Sequence, residues 1–334
     1  MKDIVLKRLK QANGEYVSGE ELGNILNVSR TSVWKYIKDL KEDGYNIESS
    51  SRKGYRLLEK NDILNAFEIK SYLNTGYIGK KVFYFKEISS TNIEAKRLAA
   101  EDCEDGTVVV AERQTQGRGR LGRAWDSMNE KGAWMSIVLR PKMLPQDVQI
   151  ITLAASVAVV KAIKRITGIN TGIKWPNDII LNGKKVCGIL TEMSSEIDCI
   201  NYIVIGIGLN VNQSEGDFDN EIRDKATSLK IYNKEISNLA KDFSRSNLIK
   251  GILEEFEQIY EMTKKGDTKS IITEWKKHSI TINSYVRITS FDGYVEGKAL
   301  DINQEGKLII QCKDGKTREI SSGEISIRGI MGYV

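Results

Sequence analysis

The chain has 334 residues, 40% of them hydrophobic and 28% charged, with a net charge of +5. That length accommodates two or three domains, the composition is that of an ordinary globular protein, and mild basicity permits an anionic partner without demanding one. Four cysteines (Cys103, Cys187, Cys199, Cys312) lie far apart with no C-x-x-C spacing, which argues against a zinc knuckle or a disulfide framework and fits reduced thiols in a cytoplasmic protein. The opening MKDIVLKRLK lacks the apolar centre of a signal peptide, and the longest apolar run, 150–160, is too short to span a bilayer. No membrane partner is expected.

Residues 1–62 form a unit of their own. Ile4, Val5, Leu6 and Leu9 make one apolar face of a first helix. Ser18-Gly19-Glu20-Glu21 fits a capping box that opens a short second helix with Leu22, Ile25 and Leu26 inward. Asn27-Val28 then turns, and Ser29 caps a third helix with Val33, Ile37 and Leu40 at core spacing. The spacing predicts a helix-turn-helix, whose polar first turn meets base edges in a major groove. Tyr45/Ile47 and Tyr55/Leu57 alternate across a turn that carries Arg52 and Lys53, a wing with a basic tip. The expected DNA contacts are Arg30, Thr31, Ser32, Lys35, Arg52 and Lys53, because the cations among them fall where phosphates would lie. A small helical docking domain is the alternative.

Residues 63–278 read as mixed α/β. Strands are expected at 82–85, 107–111, 133–139 and 201–207, rich in β-branched and aromatic residues. Asn182-Gly183 should close a tight hairpin between 179–181 and 185–190. Helices are expected at 92–100, 148–166 and 236–264. Only short strands follow, at 285–290, 294–302, 307–312 and 317–320, so 279–334 should be a small β-barrel of SH3-like size.

The stretch QTQGRGRLGRAW (114–125) matches G-x-G-x-x-G, yet a dinucleotide fold needs a helix to open directly from those glycines, and a strand follows instead. A kinase glycine loop lies between strands, but H-R-D and D-F-G are missing. A mobile loop that closes over an anionic ligand remains, with Arg118, Arg120 and Arg123 as forked donors and glycines permitting close approach. A solvated basic loop is the alternative. One histidine, His278, and no evident Ser-His or Cys-His arrangement argue against a covalent enzyme nucleophile.

Four further stretches narrow the reading: SSTN (89–92), KWPND (174–178), GKKVCGILTE (183–192) and IGIGLN (205–210). With the glycine-arginine loop, and in this order, they resemble the biotin–protein ligases. Helix-turn-helix included, the whole chain resembles the bifunctional members that also repress biotin operon transcription. The resemblance implies an α+β multidomain protein: an N-terminal winged helix-turn-helix, a central mixed α/β ligase domain of class II synthetase-like type, and a C-terminal SH3-like β-barrel. It implies adenylation of biotin by ATP with Mg²⁺, and transfer of the acyl group to a lysine of a biotin carboxyl-carrier domain. It also implies repression through operator DNA by a ligand-promoted homodimer, with biotinoyl-adenylate as corepressor.

The same resemblance assigns roles. Ser90, Thr91 and Gln114 would hydrogen-bond the ureido head of biotin, with Gly117 and Arg118 near its carboxyl end. Arg120 would order the loop and hold the adenylate, and Lys185 would touch both the carboxylate and the α-phosphate. Gly188, Gly206 and Gly208 would let sheet backbone lie against the ligand, Trp125 would wall the adenylate, and Asn210 would bond its phosphate or ribose. Arg118, Arg120 and Lys185 are thus the expected catalytic residues. Asn177 and Asp178 would orient the site or help hold Mg²⁺. Leu121 stands where many members carry another arginine. A biotin sensor without catalysis and a ligase for another acid, such as lipoate, are the competing readings.

Overall fold

Alternation of polar and apolar residues organises the N-terminal unit, Met1–Phe67. The protein is described here by a computed structural model covering residues 1–58, 62–238, 241–290, 293–321 and 326–329, with the side chains of 290 and 326–329 left undescribed. Helices α1 (Lys2–Gln11), α2 (Gly19–Leu26) and α3 (Arg30–Glu42) bury Val5, Leu6, Leu9, Leu22, Leu26, Val33, Ile37 and Leu40 together. Strands β1 (Ile47–Ser50) and β2 (Gly54–Leu57) pair antiparallel as the wing. Ser18 and Ser29 cap α2 and α3 by accepting the backbone N–H of Glu21 and Ser32. The expected capping box is half made, because the Glu21 carboxylate turns to Arg8 instead. Ile25, expected inside, is 50% exposed: the buried stripe of α2 is Leu22, Gly23 and Leu26, which leaves Ile25 on its flank.

A short helix, α4 (Ala66–Lys70), spans the boundary to the second unit, Glu68–Val334. There β3 (Val82–Ile88), α5 (Thr91–Ala100), β4 (Val108–Gln114), β5 (Gly132–Leu139), α6 (Val148–Thr167), β6 (Gly172–Lys174), β7 (Asp178–Leu181), β8 (Lys184–Ser195) and β9 (Ile200–Asn210) follow in turn. The sheet runs β3-β4-β5-β9-β8-β7-β6, parallel between β3 and β4 and antiparallel elsewhere. The Asn182-Gly183 turn has both residues at positive φ (48° and 76°), as a tight hairpin requires. Side chains alternate across a sheet. Val138 and Val204 therefore share a face with Ser136, Gly206 and Gly208, and α5 packs on that face over Val109, Val138 and Val204. Beyond the start of α5 the same face is left to the cavity described below. α6 covers the opposite face, where Thr152 and Thr191 share a hydrogen bond.

One helix expected at 236–264 is two: α7 (Leu229–Ser237) and α8 (Arg245–Lys264), capped by Ser228 and Ser244, with Asn238 left-handed (φ 56°) at the end of α7. α9 (Thr268–His278), unforeseen, starts at the cap Asp267. Strands β10 (Tyr285–Ser290), β11 (Gly293–Ile302), β12 (Leu308–Cys312), β13 (Thr317–Ile320) and β14 (Ser326–Gly329) form a separate antiparallel sheet in the order β13-β12-β11-β10-β14. Trp175 anchors this sheet to the larger one: its Nε1 donates to Gly306 O (2.9 Å), and its backbone N–H donates to Thr281 Oγ1 (2.9 Å).

Candidate active site and nucleic-acid interface

Past the N-terminus of α5 the sheet face opens into a cavity of about 490 Å³. Ser90, Thr91, Gln114, Arg118, Arg120, Trp125, Lys185, Gly188, Gly206, Gly208 and Asn210 all line it, although they come from stretches spread over 120 residues of chain. Asn177 and Asp178 join them.

The floor is polar and closed. Thr91 and Gln114 are 4% and 7% exposed. Gln114 Oε1 accepts from the backbone N–H of Thr91 (2.8 Å), while its Nε2 donates to Ser127 Oγ (3.1 Å). Behind them lie Asn92, Ser136 and Glu192, with Lys96 on Glu192 at 2.8 Å. Burial alone would raise the Glu192 pKa, but hydrogen bonds from Lys96 and Asn92 outweigh it, and the carboxyl titrates below its ordinary range. Sequence reasoning passed over Asn92, Ser136, Ser127, Glu192 and Lys96. SSTN and GILTE did contain two of these side chains, but pairing them needed the sheet.

The loop above the floor is open. Arg118 and Arg123 are exposed, and their side chains make no hydrogen bond or ion pair among the described residues. Arg120 is half-buried and donates to Asn177 Oδ1 (3.1 Å), whose amide in turn donates to Ile189 O (2.7 Å). Burial lowers the Arg120 pKa, with Asp178 opposing. Gly117 is where the loop crosses Trp125: a Cβ there would lie 2.3 Å from Trp125 O.

Lys185 owes its aim to a β-bulge. The β7–β8 register slips between Ile179 and Ile180, so Asp178 faces Gly188 while Ile180 faces Lys185. Strict alternation would put 185 and 188 on opposite faces; the slip brings the two together, and Lys185 Nζ lies 3.3 Å from an ideal Cβ on Gly188. Lys185 Nζ pairs with Asp178 at 2.6 Å and stands 5.1 Å from the Trp125 ring centre. Val186 and Cys187 are fully buried in the bulged segment, and burial pushes the Cys187 thiol pKa up.

Some side chains lie differently from the sequence expectation. The space over Gly206 is filled by Asn92, and that over Gly208 by the Trp125 indole, so these glycines first accommodate protein side chains. The indole also packs edge-on to Trp134 at 6.5 Å. Asn210 lines the cavity, but its amide is engaged with Thr227 O (3.0 Å) and Gln213 (3.4 Å).

In the N-terminal unit Arg30, Thr31, Lys35, Arg52 and Lys53 are exposed, and Ser32 is half-buried with its Oγ on Ser29. Arg30 pairs with Glu20 (2.6 Å), and Lys53 lies over the Tyr16 ring (5.6 Å). Trp34, 58% exposed on α3 with Lys38 above its ring, went unnoticed because one aromatic in a helix reads as core.

A cavity of this construction in the second unit, and a winged helix-turn-helix in the first, are the parts of a protein ligase with an appended DNA-binding domain. Residues 84–210 match the biotin/lipoate A/B protein ligase family, 3–56 a helix-turn-helix domain, and 281–328 the biotin protein ligase C-terminal domain. The bifunctional ligase/repressor BirA of Bacillus spizizenii is 41% identical over 326 residues, covering 98% of both chains. That of Escherichia coli is 28% identical over 95% of this chain and 94% of its own. The structure resembles the biotin protein ligase of Aquifex aeolicus in complex with biotin and ATP, with TM-score 0.63 and 32% identity over 75% of this chain and 99% of that one. The chain belongs to the biotin–protein ligase family, among its bifunctional ligase/repressors.

Proposed function

We propose that the chain is an ATP-dependent biotin–protein ligase acting through biotinoyl-5′-adenylate, and a repressor that answers to the same adenylate. One observation carries this: buried, neutral hydrogen-bonding groups (Thr91, Gln114) and the cations Lys185, Arg118 and Arg120 line a single cavity. A small acid whose head is recognised by the former places its carboxylate, and the phosphate it attacks, among the latter. In the first step a carboxylate oxygen of biotin forms a bond to the α-phosphorus of ATP. The bond to the β-phosphate oxygen breaks, and pyrophosphate leaves. Lys185 exchanges Asp178 for the developing charge on carboxylate and phosphate oxygens, while Arg118 and Arg120 hold the adenylate. In the second step the neutral amine of a carrier-domain lysine attacks the acyl carbon, loses its proton, and AMP leaves. The enzyme supplies position and charge and forms no covalent bond.

Mg²⁺ would come with ATP and neutralise phosphate charge, held by one or two protein carboxylates beside the phosphates. Asp178 and Asp126 are the carboxylates that line the cavity, and among the described residues there is no cluster of three or more metal-binding side chains. Arg30, Thr31, Ser32, Lys35, Arg52 and Lys53 would meet operator DNA, reading one half-site each from a homodimer. Ordering the glycine-arginine loop costs roughly 1 kcal/mol or more per residue. Adenylate contacts would offset that cost and favour the dimer, with the carrier domain competing for the same surface. No described helix is long and apolar enough to cross a membrane, and the chemistry belongs to the cytoplasm.

Pyrophosphate release tests the reading. Turnover with biotin and ATP but not with lipoate supports it, turnover with lipoate alone makes the chain a lipoate ligase, and binding of biotin without release makes it a sensor. Sedimentation and operator titration, with and without biotin plus ATP, test the coupling. Equal dimerisation and equal operator affinity in both conditions would leave the two units independent.

A further inference from the structure

The outward face of α3 carries a side chain that phosphate-binding cations do not explain. Successive residues of a helix turn by about 100°, and the apolar stripe of Val33, Ile37 and Leu40 is spent on the core of the first unit. The exposed residues Arg30, Thr31, Trp34, Lys35 and Lys38 fall on a separate arc of about 140°, with Trp34 inside it. Its indole is 58% exposed, one turn in from the helix end that a helix-turn-helix brings to base edges.

The neighbours of Trp34 on this arc are polar or charged. Arg30 pairs with Glu20 (2.6 Å), and Lys38 pairs with Glu42 (3.8 Å) while its Nζ stands 6.0 Å from the centre of the indole ring. Thr31 and Lys35 make no side-chain hydrogen bond or ion pair among the described residues. Of these side chains only Trp34 joins a broad apolar ring to a hydrogen-bond donor, Nε1–H.

Base chemistry selects the partner of such a group. In the major groove thymine sets its O4 acceptor beside a C5-methyl group, whereas cytosine shows a donor, guanine two acceptors, and adenine an acceptor with a donor. A donor beside an apolar ring matches thymine: the ring covers the methyl and Nε1–H reaches O4. Against cytosine the indole N–H would meet another N–H, and against a purine no methyl would fill the ring contact.

We propose that Trp34 reads a thymine in each operator half-site, taking the methyl against its indole ring, while Arg30, Lys35 and Lys38 hold the flanking phosphates. The inference rests on the repressor reading above and names one base that the repressor selects and the side chain that selects it.

Duplexes selected from a random-sequence library by the full chain with biotin and ATP supply the probe, and fluorescence anisotropy measures their binding. The wild-type protein should enrich thymine at one position of each half-site. Trp34→Ala should lose that preference and keep the others, with melting temperature and pyrophosphate release unchanged, because the indole is exposed. Deoxyuridine at that position, which lacks only the methyl, should weaken wild-type binding about fivefold or more per half-site and leave Trp34→Ala unaffected. 5-Methylcytosine keeps the methyl but puts a donor in place of O4. The wild-type protein should reject it, and Trp34→Phe, which has no N–H, should accept it severalfold better. Retained thymine preference in Trp34→Ala, indifference of the wild-type protein to deoxyuridine, or an equal loss on every sequence would overturn the assignment and leave the repressor reading standing. A wild-type protein that enriches no sequence would overturn that reading itself.

Discussion

The floor of the cavity and the loop above it are built on opposite plans. Thr91, Gln114, Asn92 and Ser136 are buried and fully hydrogen-bonded, each to partners on another strand or helix. Arg118 and Arg123, a few residues along the chain from Gln114, are exposed, with guanidinium groups that bond to nothing described. Neutral groups are stable in a dry, preformed setting only when every donor and acceptor is paired. Guanidinium groups without an anion are better left in water, since burying an unpaired charge costs several kcal/mol. Under the proposed function, recognition of a neutral head group is prepared before binding, and recognition of phosphate is left to be assembled around the ligand.

Substitutions should separate the two plans. The largest effect is expected from Lys185→Ala, which removes a cation whose partner charge develops in the transition state. Adenylate formation in single turnover should slow by about 10²–10³-fold, roughly 3 kcal/mol or more, with biotin affinity nearly intact. A fall in affinity with an unchanged rate would make Lys185 a binding residue. Arg118→Ala attacks the loop alone: biotin binding and adenylation should weaken by about 2 kcal/mol while the melting temperature stays put, as expected for an exposed side chain without partners. Unchanged adenylation would remove Arg118 from the site.

Gly206→Ala attacks the floor and should do the reverse. Its Cβ must displace Asn92, so stability should drop by roughly 1.5 kcal/mol and biotin affinity with it, as thermal melts and titration would show. A variant as stable as wild type would mean that the floor yields. The smallest effect concerns pH. Hydrogen bonds from Lys96 and Asn92 outweigh burial and hold the Glu192 pKa below the ordinary 4.5, so its contribution to stability is fully present above that pH and is lost as pH falls through the lower, folded value. The melting-temperature gap between wild type and Glu192→Gln should therefore be widest near neutrality and close below pH 4.5. A constant gap would show that the carboxylate charge does not hold the network.

Local pattern alone carried much of the molecule. The 3.6-residue apolar spacing of α3, the serine caps, the Asn-Gly hairpin and the β-branched strands all appeared where the sequence placed them, because each depends on neighbours a few residues away; in α1 Val5, Leu6 and Leu9 are buried as expected, but Ile4, expected on the same face, is 45% exposed. Residue type likewise pointed to the glycine-arginine loop, since backbone approach and charge belong to the residues themselves, whereas Lys185 and the threonine-glutamine pair were reached through the family resemblance, and the structure lines one cavity with all of them. Tertiary structure decided the rest. The bulge that turns Lys185 towards Gly188 depends on β7–β8 register, which no single strand encodes. Ile25 faces outward because the α2 stripe is set by its partners, and α7 and α8 part where Asn238 turns left-handed. The Lys96–Glu192–Asn92–Ser136–Thr91 chain joins residues up to 100 positions apart (Asn92 to Glu192). A hydrogen bond between distant side chains leaves no periodic trace in either stretch, so that chain exists only once the sheet has brought its members within 3 Å.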